Sequence, residues 1–437
     1  MDRISDFCDR ALAALRVVIL RRNYSRDLLR IRRLAGGRKP KVAFLVSELS
    51  KWKGEPLVRA LETGGRFDPF VAVMNMTRQA RLPEEEQRRS IEEKLTYFRG
   101  RGLRVVGIQR IGRQDTRTVD EIDADIVFYQ QPWDLPPQMK PMCVSRRALT
   151  FYFPYFTPCY LDETLEIDHK LHHQLYGHIV CDERTAEIYR KACTRMSGPY
   201  AGDYLALGHP ALDAIPFEEG VPDPSGCVIY APHWSIVHGD HVPPLAYSTF
   251  LATGRAILDY AKAHPEVRWA FKPHPLLRTT LVKTGYMTEN EASRYYGDWE
   301  RIGEACYDGD YPSLFARSRA IVTDCGSFLT EYGCTGKPVI RLVNPDLRIG
   351  VQPCIGDLYS TYYNVVTADE LRTVLATVVE QGQDPKRAER IACLKRANLA
   401  GGDATRRIAD YLESLCFPSG YAAAIGHEAV RSCPRDR

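Results

Sequence analysis

No Cys-x-x-Cys pair occurs in the 437-residue sequence, which excludes a zinc ribbon and a thioredoxin-like redox motif. The 13 cysteines are odd in number and scattered from Cys8 to Cys433, as expected of reduced thiols rather than of a disulfide framework. No run approaches the roughly 20 apolar residues of a spanning helix. The start of the chain lacks the uncharged core and small-residue cleavage site of a signal peptide, so a cytoplasmic location is expected. An excess of one charge is also missing. Lys+Arg 59 against Asp+Glu 55 gives +4, which makes no electrostatic case for nucleic acid, and no nucleic-acid-binding motif accompanies it.

What is present is the material of a globular protein with more than one core: 44% hydrophobic and 26% charged residues. Residues 1–33 contain neither Pro nor Gly and alternate aliphatics (Leu12, Leu15, Val18, Ile19, Leu28, Leu29, Ile31) with arginines (Arg10, Arg16, Arg21, Arg22, Arg26, Arg30, Arg32, Arg33). That pattern predicts a basic amphipathic helix, suited to the anionic inner membrane surface or to packing on the protein's own body. Gly36-Gly37-Arg38-Lys39-Pro40 closes it. Short β-branched runs then alternate with stretches of helical length, beginning Val42-Ala43-Phe44-Leu45-Val46, and the pattern restarts at Cys227-Val228-Ile229-Tyr230-Ala231. Alternation of this kind predicts an α/β protein with two Rossmann-like, doubly wound domains facing across a cleft. The expected boundaries are a helix over 1–36, an N-terminal Rossmann-like domain over 37–203, a C-terminal Rossmann-like domain over 204–392, and a closing helix and tail over 393–437. The Gly-, Pro- and Asp-rich stretch 198–225 reads as the junction.

Two strand ends in the second half carry chemistry. Ala320-Ile321-Val322-Thr323 runs into Asp324-Cys325-Gly326-Ser327 and then a helix ending at Gly336-Lys337-Pro338. A helix starting there presents unpaired N–H groups to an anion, with Gly326 permitting close approach and Ser327 adding a hydroxyl. Upstream, Trp269-Ala270-Phe271 ends in Lys272-Pro273-His274-Pro275, setting a cation and a histidine at a neighbouring strand end. Ligands of open α/β sheets bind outside such carboxyl ends. Glu331 lies one turn after Ser327 and reads either as a cap or as a ligand contact. The cluster His233, His238, His241 with Asp240 matches no metal-ligand spacing. His169, His172, His173 and His178 read as a partly exposed helix surface in the first place, and as a site in the second, since helical spacing would put His169 and His173 on one face. The aromatic run 151–156 and Trp133 read either as core or as an acceptor-binding wall.

Together these motifs resemble the CDP-glycerol glycerophosphotransferase family, transferases that build teichoic-acid-like polymers on a glycosyltransferase B-type fold. The resemblance spans 125–343. It rests on Ala231-Pro232-His233-Trp234-Ser235-Ile236, Tyr247-Ser248-Thr249-Phe250, Phe271-Lys272-Pro273-His274-Pro275, and Thr323-Asp324-Cys325-Gly326-Ser327-Phe328 through Gly336-Lys337-Pro338. It implies transfer of glycerol phosphate or a related polyol phosphate from a CDP-activated donor to a hydroxyl of a glycan or lipid-linked acceptor, with no cofactor. The catalytic residues implied are His274 and His233. The donor-binding residues are Lys272, Ser235, Ser248, Thr323, Asp324, Gly326, Ser327 and Glu331, with Tyr155 and Trp133 toward the acceptor. A charged His274 or Lys272 would offset charge on departing CMP. Asp324, repelled by a diphosphate, would hold a hydroxyl or a neighbouring loop.

One departure stands out. Teichoic acid polymerases carry Trp-His-Gly-Thr-Pro in the first half, its histidine the proposed base. The counterpart here, Phe151-Tyr152-Phe153-Pro154-Tyr155-Phe156-Thr157-Pro158, has no histidine. His233 is the first replacement, and His169, His172 or His173 the second. The alternatives are a UDP-N-acetylglucosamine 2-epimerase or glycosyltransferase of the same fold, and a non-catalytic sugar-nucleotide-binding partner in envelope assembly.

Overall fold

The computed structural model describes residues 2–157, 159–161, 171–196, 200–243, 246–307, 311–347, 350–397 and 399–418. The chain divides into two compact units. The first comprises Met1–Phe156, Asp162–Ala211 and Asp403–Arg437, and the second Thr157–Leu161 and Leu212–Gly402.

In the first unit strands β1 (Lys41–Val46), β2 (Asp68–Val73), β3 (Val105–Gly107), β4 (Ile126–Tyr129) and β5 (Leu149–Tyr152) precede a short strand β6 (Tyr160–Leu161) that belongs to the second unit. β7 (Gly177–Val180) and β8 (Asp203–Ala206) complete the sheet. Its order is β3-β2-β1-β4-β5-β7-β8 and every pairing is parallel. A parallel sheet must bury both faces, and alternate residues of β1 do so. Val42, Phe44 and Val46 join one core cluster with Phe128 and Phe151, while Ala43 and Leu45 join another with Val127 and Tyr129. The order reverses between β1 and β4, which opens a crevice at their carboxyl ends.

The N-terminal helix Asp2–Leu34 lies on this unit. Val17, Leu20, Tyr24, Asp27 and Ile31, spaced as one helical face, are buried. Tyr24 Oη donates to Gln174 O (2.6 Å), and Arg30 Nη1 meets Asp125 at 2.8 Å. Each apolar side chain buried there contributes about 1.5–3 kcal/mol, so the helix is pinned to the body along that stripe. Leu12, Leu15, Val18, Ile19 and Leu29 point away and are exposed. Helix Ala404–Cys416 also belongs to this unit, with Arg32 Nε donating to Leu415 O (2.9 Å). No helix among the described residues is long and apolar enough to cross a membrane.

The second unit holds β9 (Cys227–Ala231), β10 (Trp269–Phe271), β11 (Glu304–Ala305), β12 (Ser318–Thr323), β13 (Val339–Leu342) and β15 (Tyr363–Val365), after the two-residue β14 (Gly350–Val351). The order is β11-β10-β9-β12-β13-β15, again all parallel, with the reversal between β9 and β12. β6 pairs antiparallel with β14. Lys337 is internal here: its Nζ donates to Phe315 O (3.0 Å), Ala316 O (2.8 Å) and Ser318 O (2.7 Å), closing the end of helix Tyr311–Ala316. Gly336 before it sits at φ +81, where a side chain would be strained.

Three expectations change. The stretch 198–225 is not simply a junction, because β8 falls inside it and the chain crosses between units at 211/212. The segment 393–437 is split: helix Arg387–Arg396 lies in the second unit and helix Ala404–Cys416 in the first. His172, His173 and His178 are buried rather than surface-exposed. His172 and His178 pack on Tyr152, His178 also on Tyr204, His173 lies against Cys193 Sγ, and burial pushes His178 down to about 3. His169 lies outside the described residues.

Candidate functional site

The three central strands of the second unit, β10, β9 and β12, end side by side, and their exit loops are tied together by backbone bonds. Lys272 N–H donates to Tyr230 O (2.8 Å) and His274 N–H to Pro232 O (3.0 Å). The β9 and β12 exits are joined by Thr323, whose hydroxyl donates to Ala231 O (2.6 Å) and accepts from Cys325 N–H (3.0 Å).

Asp324 is the clasp of the site. One carboxylate oxygen accepts from His233 N–H (2.6 Å), and the other from Thr249 N–H (2.7 Å) and Thr249 Oγ1 (3.1 Å). These donors favour the anion, but burial outweighs them and pushes the carboxyl up to about 6. Asp324 therefore holds loops, the second of the two roles expected of it. Other residues expected to bind the donor are similarly engaged within the protein. Ser248 Oγ donates to His233 O (2.8 Å), and Ser235 Oγ accepts from Tyr247 N–H (3.0 Å). The buried Glu331 accepts from Thr157 Oγ1 (3.0 Å), which also reaches Ser327 O (3.2 Å).

His233 and His274 lie together, ring centroids 5.0 Å apart. Each accepts at Nδ1 from the backbone N–H two residues on, Ser235 (3.3 Å) and Leu276 (3.1 Å). Ser235 Oγ also lies 2.7 Å from His233 Nδ1. An Nδ1 that accepts leaves the proton of a neutral imidazole on Nε2. In the first unit His209 does the same, accepting at Nδ1 from Ala211 N–H (3.2 Å) and donating from Nε2 to Pro154 O (2.8 Å). The Nε2 atoms of His233 and His274 have no such partner among the described residues. Both rings are held neutral. Burial and then the neighbouring His274 depress His233 well below its ordinary value, and burial and then Lys272 bring His274 down to about 4. The site thus offers uncharged N–H donors, a correction to the charged His274 expected. The base role expected of His233 fits poorly, because its lone pair is already taken by Ser235.

Helix Gly326–Gly333 begins immediately after Asp324, with Cys325 as N-cap. Burial pushes the Cys325 thiol up to about 12, against the Ser327 and Phe328 N–H groups that favour its thiolate. Ser327 is half-buried and its Oγ has no hydrogen-bond partner among the described residues. A cavity of about 700 Å³, within the size range of ligand pockets, is lined by Ser248, Thr249, Val237, Val343 and Asn344 among others, but not by His233, Lys272, His274 or Ser327. Trp133 and Tyr155 belong to the first unit, their rings edge to face 5.6 Å apart. His238 and His241 form a two-residue bridge by backbone bonds. Among the described residues no three His, Cys, Asp or Glu side chains gather in a metal-holding group.

Sequence reasoning noted Thr249 and Thr157 within motifs but gave neither a role. Thr249 precedes helix Phe250–Ala263, where a threonine ordinarily caps its own helix. Here it turns to Asp324 instead.

No protein-family model matches the chain, and no curated protein sequence matches it. Solved structures do. A variant of the wall teichoic acid polymerase TagF soaked with CDPG is 13% identical with a TM-score of 0.53, covering 98% of this chain and 100% of that one. UDP-GlcNAc 2-epimerase from Neisseria meningitidis, bound to UDP-GlcNAc, is 12% identical at TM-score 0.52, covering 86% and 99%. A further UDP-N-acetylglucosamine 2-epimerase is 14% identical at TM-score 0.51, covering 91% and 98%. At such identities the likeness establishes the fold: two Rossmann-like α/β units of the glycosyltransferase B type.

Proposed function

We propose that the protein is a transferase moving glycerol phosphate, or a related polyol phosphate, from a CDP-activated donor to a hydroxyl of an envelope glycan or lipid-linked acceptor. The observation that carries this reading is the pairing of His233 with His274, with Asp324 binding His233 N–H three residues ahead of Ser327. Imidazole N–H donors, a helix start and a serine hydroxyl are what a diphosphate oxyanion requires.

The acceptor hydroxyl oxygen attacks the polyol-bearing phosphorus, forming one P–O bond as the bond to the CMP phosphate breaks, and the hydroxyl proton passes to the departing CMP phosphate or to water. The negative charge that appears on CMP is received by Nε2–H of His274 and by Ser327, with Lys272 supplying positive charge. Thr323, Asp324, Ser235 and Ser248 position these groups. The arginine-bearing outer face of the N-terminal helix would rest on an anionic membrane surface, where a lipid-linked acceptor is presented. The fold shared with the epimerases supports a second reading, an enzyme acting on a UDP-linked sugar. Incubation with CDP-glycerol and with UDP-N-acetylglucosamine separates the two. CMP release with the first supports the transferase, and UDP release or epimerisation with the second replaces it.

A further inference from the structure

At the β1/β4 crevice of the first unit, Trp133 is 37% exposed, whereas Trp52, Trp269 and Trp299 are buried. Its ring meets that of Tyr155 at 87°, making a corner of two aromatic walls. Lys51 Nζ sits 5.2 Å from each ring centroid. Lys51 is paired with Glu48, which also accepts from Gln131 Nε2 (2.9 Å) and lies 3.5 Å from Arg78. Gln131 is fixed in turn by Ser47 Oγ (2.6 Å). Asp134, next to the tryptophan, is held at φ 56, a left-handed conformation uncommon for a residue with a side chain. Thr77 N–H donates to its carbonyl (3.2 Å), and Arg78 lies 3.6 Å from its carboxylate. An exposed aromatic at a sheet's switch point lies where ligands of open α/β sheets bind.

The chemistry selects the ligand. Aromatic faces accept the C–H face of a sugar ring, while Glu48, Lys51 and Gln131 supply acceptors and donors for its hydroxyls. The cations here are matched: Lys51 by Glu48, and Arg78 by Glu48 and Asp134. These four side chains carry no net charge to attract a polyanion. We infer that this corner is the acceptor subsite and that it binds an uncharged saccharide in preference to a phosphate-bearing polymer. The inference rests on the transferase reading for its word acceptor, but not for the saccharide.

The test uses the full chain and an immobilised array of neutral and phosphorylated glycans, with CDP binding measured alongside. Wild type is expected to retain neutral glycans at low and at high salt. Trp133→Ala and Tyr155→Ala should lose at least about tenfold in that retention, Trp133→Phe should recover part of it, and Ser327→Ala should keep it. Retention of phosphorylated glycans alone, of none, or equally by Trp133→Ala overturns the inference. Loss of CDP binding by wild type with glycan retention intact would sink the donor reading and leave the saccharide site standing.

Discussion

Replacing Asp324 by Asn tests the clasp at the centre of the site. The amide keeps one acceptor oxygen and turns the other into a donor. Since His233 N–H and Thr249 N–H lie on different oxygens, one of them must face an NH₂ group. A buried N–H left without an acceptor costs about 1–3 kcal/mol. Around 2 kcal/mol of local opening corresponds to roughly 30-fold faster amide exchange, confined to one of those two loops. The carboxyl adds a pH signature. Its folded value, about 6, stands above its ordinary 3.8, so the folded state binds the proton more tightly. Stability from this group is present at low pH and is lost as pH rises toward and through about 6. At about 1.36 kcal/mol for each tenfold change in proton affinity, wild type should lose about 1.3 kcal/mol between pH 5 and pH 7 that the Asn variant does not. Denaturant unfolding of both proteins at the two pH values measures this difference, and hydrogen-exchange mass spectrometry locates it. If the stability gap between them is the same at both pH values, the carboxyl is not raised. If exchange at residues 233 and 249 is unchanged, the clasp is not where the loops are held.

His274→Ala should lower CMP release about 10²-fold or more, and His274→Gln, which retains an N–H donor, should recover part of it. With its folded value near 4, His274 should contribute no limb to the pH profile of kcat/KM between pH 5 and 8; a limb near pH 6.5 that disappears in the Gln variant refutes the neutral-donor reading. Lys337→Met leaves three carbonyls, those of Phe315, Ala316 and Ser318, without their cationic donor. It should cost about 3 kcal/mol and lower the melting temperature roughly 6–12 °C, with an unchanged melt by calorimetry counting against the assignment. Leu15→Glu combined with Val18→Glu should weaken binding to anionic phosphatidylglycerol vesicles at least about tenfold without changing the melting temperature, because both side chains point away from the body; equal sedimentation of wild type and variant would refute membrane contact.

The sheets were legible where a strand is a bare apolar run. Lys41–Val46 and Cys227–Ala231 are buried at almost every position, so hydrophobicity alone marks them. β7 and β8 escape because their sequences, Gly-His-Ile-Val and Asp-Tyr-Leu-Ala, carry polar residues. His178 is admitted there only by the aromatic cage of Tyr152, Tyr189 and Tyr204. No local signal announces a cage assembled from three separate segments. The N-terminal helix shows the opposite limit. Its two apolar stripes share one sequence pattern, and only packing reveals which of them the protein covers.

At the site, the neighbouring strand ends and both histidines could be read in advance, but the division of labour among the polar residues could not. A short polar side chain after a strand is equally suited to a ligand or to a loop. Thr323 and Asp324 became loop-holders because Ala231, His233 and Thr249 come to them from as far as 92 residues away in sequence. The state of the histidines is a more local matter. His209, His233 and His274 each follow a strand and each accept from the N–H two residues on. That requires a non-proline at the second position, which Ala211, Ser235 and Leu276 satisfy, while a proline at the first is tolerated, as Pro210 and Pro275 show. The same local device therefore fixes the tautomer three times. What separates a structural imidazole from a functional one is whether the chain also supplies an acceptor for Nε2. It does so for His209 through Pro154 O; among the described residues none meets Nε2 of His233 or His274, and in the proposed transferase an incoming phosphate oxygen would take that place.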